Sequence, residues 1–327
     1  MAYWTRWPKI SSNEYDRANL IQQPIQQSNV VILNEVKDLL LDDSTPSASS
    51  KIESERRNVP NRTKDGFMAF ETILLEKRAP LAILTLNRPQ VLNALNASLL
   101  SELTQAIEDV AADATIRVIL LTGAGPKAFA AGADIAELAA LDAESGRAYA
   151  ARGQAFSRRL ETLGKPIIAC INGFALGGGC ELAMACTLRL ASDTAKLGQP
   201  EVKLGVIAGF GGTQRLPRLV GRGAALRILL SGTILSASEA LRIGLVDEVV
   251  PAAELISRAE ALALEIAANA PLAVERTLLA VDSGLDLSLE DALAEEARHF
   301  GQICATQDKA EGPTAFLAKR PAVWTGQ

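Results

Sequence analysis

Residues 165–200 read KPIIACINGFALGGGCELAMACTLRLASDTAKLGQP, and the order of residue types in this stretch decides the fold. The apolar run Ile167-Ile168-Ala169-Cys170-Ile171, bounded by Pro166 and by Asn172-Gly173, predicts a buried strand. Gly177, Gly178 and Gly179 follow, then Cys180-Glu181-Leu182-Ala183-Met184-Ala185-Cys186, rich in helix formers. A strand, a glycine turn and a helix start leave backbone N–H groups pointing outward with no side chain in the way. Such amides attract anions and developing negative charge. Glu181 falls in the first turn of that helix, in an otherwise small and apolar segment. Locally it has two readings: a catalytic carboxylate beside backbone donors, or a glutamate that complements the helix dipole.

Working outward, the pattern on both sides of this stretch is an alternation of strands and helices. Upstream, Phe70–Lys77 and Leu81–Leu86 read as strands joined by a turn at 78–80. Asn96 is placed to cap a helix to about Val110, with Leu99, Leu103, Ile107 and Val110 on one face. Arg117–Thr122 is an apolar strand, and Ala131-Gly132-Ala133-Asp134 is a second glycine turn opening a short helix through Leu138. A longer helix is expected over Ser145–Leu163, stopped by Gly164. Downstream come a strand at Leu188–Ala191, a glycine-rich loop at Gln199–Gly212, and then mostly helices, the last expected over Gly312–Lys319. A short strand at Val246–Val250 interrupts them. The alternation implies an α/β layer structure with crossover helices. Residues 68–260 read as the α/β core and 261–327 as a C-terminal helical region. Residues 1–67 are rich in Ser, Gln, Asn, Asp and Arg. They are expected to be either disordered or an over-extended reading frame, with translation starting at Met68.

Composition removes several function classes. The chain has 327 residues, is 48% hydrophobic, and carries a net charge of −5. Without clustered Lys and Arg, nucleic acid is not an expected partner. No uncharged apolar run reaches membrane-spanning length, so no membrane partner is expected. Cys170, Cys180, Cys186 and Cys304 include no CxxC pair, which points to a reducing, cytoplasmic compartment. His299 is the sole histidine; it rules out a histidine-rich metal site, makes a Ser-His-Asp hydrolase improbable, and is expected to pack or lie at the surface. No dinucleotide or P-loop fingerprint appears in a strand–helix setting.

Several motifs together carry a resemblance. They are Asn87-Arg88-Pro89, Leu92-Asn93-Ala94-Leu95, Phe129-Ala130-Ala131-Gly132-Ala133-Asp134-Ile135, the run Asn172 to Glu181, Gly198-Gln199-Pro200-Glu201 and Gly211-Gly212-Thr213-Gln214-Arg215-Leu216. In order and spacing, residues 68–327 resemble the crotonase family of enoyl-CoA hydratases and isomerases. The resemblance implies a crotonase-like α/β fold of stacked β-β-α units with a C-terminal helical region that packs between subunits as a homotrimer or homohexamer. It implies an acyl-CoA thioester substrate and no cofactor or metal beyond the CoA of that substrate. It implies that the backbone N–H groups of Ala133 and Gly178 hold the thioester oxygen. Glu181 would then take the proton of an attacking water and Glu201 protonate C2, while the Gly209 N–H helps hold the water. Asn93, Ala94, Ala131, Asp134, Ile135, Ala136 and a basic residue, Lys319 or Arg320, are expected at the substrate. Ala136 stands where some relatives carry lysine, and Ala208 where many carry proline. Leu138–Leu141, Phe156 and Phe210 are expected to wall the acyl pocket.

Two carboxylates 201 − 181 = 20 residues apart favour hydration, which needs one proton removed and one delivered. An enoyl-CoA isomerase of the same fold, needing a single base, is the alternative within the family. A non-catalytic acyl-CoA-binding or RNA-binding relative is the alternative outside enzyme function.

Overall fold

Continuous apolar runs give the central strands two buried faces, and that requirement organises the molecule. A computed structural model describes residues 70–327, so the expectations for 1–67 lie outside the described residues. Ile73–Arg78 (β1) and Leu81–Leu86 (β2) pair antiparallel. Val118–Gly123 (β3), Ile167–Ile171 (β5), Leu188–Ser192 (β7) and Glu248–Val250 (β10) continue the sheet in parallel, in the order β1-β2-β3-β5-β7-β10. A second sheet is made of Ala128–Ala130 (β4), Phe174–Leu176 (β6), Lys196–Gly198 (β8) and Ile234–Ser236 (β9), in that order, with only β8–β9 antiparallel.

The chain lays one strand in each sheet in turn: β3 then β4, β5 then β6, β7 then β8. Helices make the returns that parallel strands need. Ala97–Ala112 (α1) links β2 to β3. Ile135–Ala139 (α2) and Ala143–Glu161 (α3) link β4 to β5. Gly178–Met184 (α4) links β6 to β7. These are the stacked β-β-α units of a crotonase-like fold. Gly212–Val220 (α5), Arg222–Ser231 (α6) and Ala237–Arg242 (α7) follow, then Leu255–Ala267 (α8), Pro271–Gly284 (α9), Leu289–Cys304 (α10) and Gln307–Leu317 (α11).

Strand periodicity sorts the core. Leu81, Ile83, Val118, Leu120, Ile168 and Cys170 face α8 and meet Leu255, Ala259 and Ala263. Ala82, Leu84, Leu86, Ile119, Leu121, Ile167 and Ala169 face the other way, toward Leu99, Leu103, Ile107 and Val110 of α1. Asn96 caps α1 as expected, its side chain accepting from Leu99 N. Helix α8 crosses residue 260 without a break.

Three features differ from the sequence expectation. The second sheet has no counterpart in the sequence pattern, because strands of three residues are too short to show a period. The Gln199–Gly212 loop contains a single 3-10 turn at Glu201–Leu204. Helix α11 begins five residues before the expected Gly312, because Thr306 caps it by accepting from Lys309 N at 3.1 Å. His299 is buried, with Nε2 3.2 Å from Glu295 Oε1.

Candidate active site

The two glycine turns meet. Leu95 N donates to Gly132 O at 2.8 Å and Asp134 N donates to Leu95 O at 2.9 Å. This bridge uses the groups flanking Ala133, so the Ala133 N–H turns away from it. The Gly178 N–H begins α4 and has no intrahelical acceptor. Neither amide donates to a protein group among the described residues. A Cβ on Gly178 would lie 3.7 Å from Ala133 N, so the two donors border one small space. Gly177 reaches this geometry with φ 49° and ψ −125°, while its own N–H donates to Gly198 O at 2.9 Å.

The motif residues around the Ala133 turn are framework. Asn93 is 0% exposed. Its Oδ1 accepts from Arg88 N at 3.0 Å and its Nδ2 donates to Ala124 O at 3.0 Å and Ala128 O at 2.9 Å. Ala94 is buried, with its carbonyl accepting from Arg88 Nη1 at 2.6 Å. The Asn93 side-chain amide is thus bonded to the fold, which fixes the shape of the loop around Asn93 and Ala94 that is expected at the substrate. Asp134 likewise pairs with Arg88 at 3.1 Å and caps α2 by accepting from Ala136 N at 3.2 Å. Ala131 N donates to Leu92 O at 3.0 Å, and Ile135 and Ala136 are exposed at the start of α2.

Both glutamates border the turn. Glu181 is 2% exposed, and its Oε1 accepts from Gly212 N at 2.6 Å and Phe210 N at 2.8 Å. Burial raises its pKa; the two N–H groups and Arg215 oppose that by favouring the anion. Glu201 opens the 3-10 turn, and a Cβ on Gly177 would lie 3.0 Å from its Oε1. Burial, reinforced by the Glu181 charge, pushes Glu201 up to about 7. Both carboxyls are raised by burial; two backbone N–H groups oppose the rise at Glu181, whereas the Glu181 charge adds to it at Glu201.

Residues without a role in the sequence reading complete the arrangement. Gln199 is buried beside Glu201; with its amide nitrogen toward the carboxylate it donates to Oε1 at 2.7 Å and Oε2 at 3.2 Å. Arg215 Nη1 donates to Phe210 O at 3.0 Å while its Nε and Nη2 clamp Glu161 at the end of α3. That clamp holds the loop whose amides hold Glu181. Gln154 Nε2 donates to Gly209 O at 2.9 Å, and separately the Gly209 N–H has no protein partner among the described residues. The only sequence signal for Arg215 and Gln199 was their place inside motifs.

The basic candidates separate. Arg320 is paired with Glu311 at 2.6 Å. Lys319 is exposed after α11 and makes no ion pair among the described residues. Phe156 and Phe210 are buried, and Leu138 and Leu141 half-buried. A cavity of about 820 Å³ lies beside the 208–215 loop, lined by Arg158, Glu161, Thr213, Arg215 and Asp282, but it includes neither glutamate of the pair nor the two donors.

Two free amides border one small space, and two buried carboxylates with different surroundings lie beside it. The enoyl-CoA hydratase/isomerase family matches residues 76–327, and the chain belongs to that family. A short-chain-enoyl-CoA hydratase of Clostridium acetobutylicum is 46% identical over 253 residues, covering 77% of this chain and 97% of the relative. A crotonyl-CoA hydratase of Syntrophomonas wolfei is 48% identical over 255 residues, covering 78% and 98%. Among solved structures, an enoyl-CoA hydratase from Bacillus anthracis superposes with a TM-score of 0.76 at 39% identity, covering 79% of this chain and all of that one.

Proposed function

We propose that this chain is an enoyl-CoA hydratase, adding water reversibly and syn across trans-2-enoyl-CoA to give 3-hydroxyacyl-CoA. The observation that carries the reading is the unequal pair: Glu181 with two backbone donors on one oxygen, Glu201 raised to about 7. Glu181 takes a proton from water as its oxygen bonds to C3. The C2–C3 π pair shifts to C2 and the thioester oxygen, where Ala133 and Gly178 stabilise the enolate. Glu201 delivers its proton to C2. The carboxylates have then exchanged protonation states and reset by exchange with solvent. Two carboxylates, water and the thioester balance every proton and electron pair, so the mechanism calls for no cofactor beyond the CoA of the substrate.

The Ala131–Ala136 segment, beside the two donors, is the proposed contact for the CoA portion, with Lys319 as a phosphate partner. A homotrimer or homohexamer is supported by exposed apolar side chains on the C-terminal helices, among them Val281, Leu293, Phe300 and Phe316. Free buried thiols at Cys170, Cys180 and Cys186 suit a cytoplasmic setting.

The test follows loss of the conjugated enoyl absorbance with crotonyl-CoA and identifies the product. A 3-hydroxyacyl-CoA product, with Glu181→Gln slower by roughly 10²–10⁴ and still binding CoA, is expected. Turnover of 3-enoyl-CoA alone would make the protein an isomerase, and CoA binding without either reaction would make it a binding protein.

A further inference from the structure

Arg88 follows β2, and its guanidinium ties two segments together. Nη1 donates to Ala94 O at 2.6 Å and to Asp134 Oδ2 at 3.2 Å, and Nη2 donates to the same Oδ2 at 3.1 Å. The Arg88 and Asp134 side chains are 16% and 22% exposed, so the pair is largely shielded from solvent and salt. The other carboxylate oxygen of Asp134 is engaged as well, accepting from Ala136 N at 3.2 Å.

These contacts end on the two sides of one backbone bridge. Ala94 precedes Leu95, and Asp134 follows Ala133. Leu95 bonds to Gly132 O and Asp134 N, whereas the Ala133 N–H makes no bond of its own among the described residues. The direction of that N–H is therefore set through its neighbours, by a bridge that stands outside both sheets and has no ladder to fix it. Leu95 also lies against the second donor, its Cδ1 3.4 Å from where a Cβ on Gly178 would be.

The loop that delivers Leu95 is strained. Leu92 and Asn93 both lie in the left-handed region, at φ 52° and 57°, which costs energy for any residue with a side chain. Such backbone persists where its surroundings over-determine it. The three backbone partners of Asn93 hold the middle of the loop, and the Arg88 guanidinium holds its end at Ala94 O. Without that grip the loop is free to relax and carries Leu95 with it.

We propose that Arg88 is a positioning residue for the two amides that hold the enolate oxygen: by gripping Ala94 O and Asp134 together, it sets the direction of the Ala133 N–H toward the space shared with Gly178. Arg88 acts through this backbone and not on the substrate. The inference rests on the hydratase reading. Negative charge builds on the thioester oxygen in the transition state, so a misdirected donor costs more in kcat than in KM.

The experiment measures crotonyl-CoA hydration by full-length Arg88→Met and Arg88→Lys. Arg88→Met keeps the bulk of the stem and removes the donors; kcat is expected to fall by about 10², with KM changed by less than about threefold. Arg88→Lys keeps the charge but not the fork, and is expected to lose about tenfold. A second readout reports on the donor itself. The absorption of para-dimethylaminocinnamoyl-CoA moves to longer wavelength as its thioester oxygen accepts hydrogen bonds, and the shift on binding to saturating protein is expected to be smaller in both variants than in the wild type. A role limited to stability would lower the melting temperature and leave kcat and the shift of the folded protein unchanged; that result overturns the inference, and so does a raised KM with unchanged kcat. Should Arg88→Met not fold, Arg88→Lys decides by the same criteria. If the wild type neither hydrates crotonyl-CoA nor shifts the probe, the hydratase reading itself fails; if it does both and the variants match it, only the role of Arg88 does.

Discussion

Replacing Glu201 by glutamine is expected to slow the enzyme and strengthen the fold, and the second effect depends on pH in a defined way. Burial and the neighbouring Glu181 charge raise this carboxyl from 4.5 to about 7. The difference, 7 − 4.5 = 2.5 pH units, corresponds to ~3 kcal/mol at ~1.36 kcal/mol each. Because the folded-state pKa is raised, the folded protein binds the proton more tightly than the unfolded chain. Ionisation therefore costs nothing below about pH 4.5, costs progressively more up to about 7, and is constant above that. Glutamine removes the charge and still meets Gln199 as an amide partner. At pH 8 the variant should be more stable than wild type by about 3 kcal/mol, and at pH 5 by less than about 1. Hydration should fall by roughly 10²–10⁴, since no proton can be delivered to C2. Urea unfolding at the two pH values, alongside crotonyl-CoA hydration, measures both. Equal stability of the two proteins at pH 8, or a gain of the same size at pH 5, would refute the assignment of Glu201 as a buried group that ionises at a cost.

Three further outcomes follow from the same geometry. The rate of hydration is expected to fall as pH rises through about 7, because Glu201 must be protonated to act as the acid; a pH profile flat from 6 to 9 would contradict this. Gly178→Ala should fold normally, since its Cβ meets Leu95, Phe210 and Ala133 N at 3.4, 3.6 and 3.7 Å, yet it fills the space before the Ala133 N–H and should cost about 10²–10³ in kcat; equal kcat with unchanged melting would show that the oxyanion lies elsewhere. Arg215→Met releases Phe210 O and strands Glu161, and should cost roughly 1–3 kcal/mol of stability, between the exposed and fully buried cases. Adding Glu161→Gln should recover stability without recovering rate, and recovery of both in the double variant would show that the clamp does not position the loop.

Much was legible in the chain itself because the signals are local. The run 167–171 is apolar throughout and forms β5, buried on both faces. Asn96 reads as a cap and is one, and the 3.6-residue stripe of α1 is the stripe that packs. Gly177, at φ 49°, and Gly179, whose Cβ would lie 1.9 Å from Ala130 O, mark a turn that demands glycine, and Glu181 follows from its place after it. What the sequence could not express are distances between residues far apart in the chain. Strands of three residues have no period of their own and exist because β4, β6 and β8 find each other as neighbours. The motif around Asn93 does not say what its side chain bonds to; only the folded chain puts it at 0% exposure among three backbone partners. Nothing in the spacing of 20 residues between Glu181 and Glu201 distinguishes a base from an acid. The tertiary structure makes their surroundings different, by bringing the amides of Phe210 and Gly212 to one carboxylate and burying the other beside its charge. Composition and periodicity are fixed by covalent order, whereas the proton affinity of a carboxyl group depends on what the fold brings within a few ångströms of it.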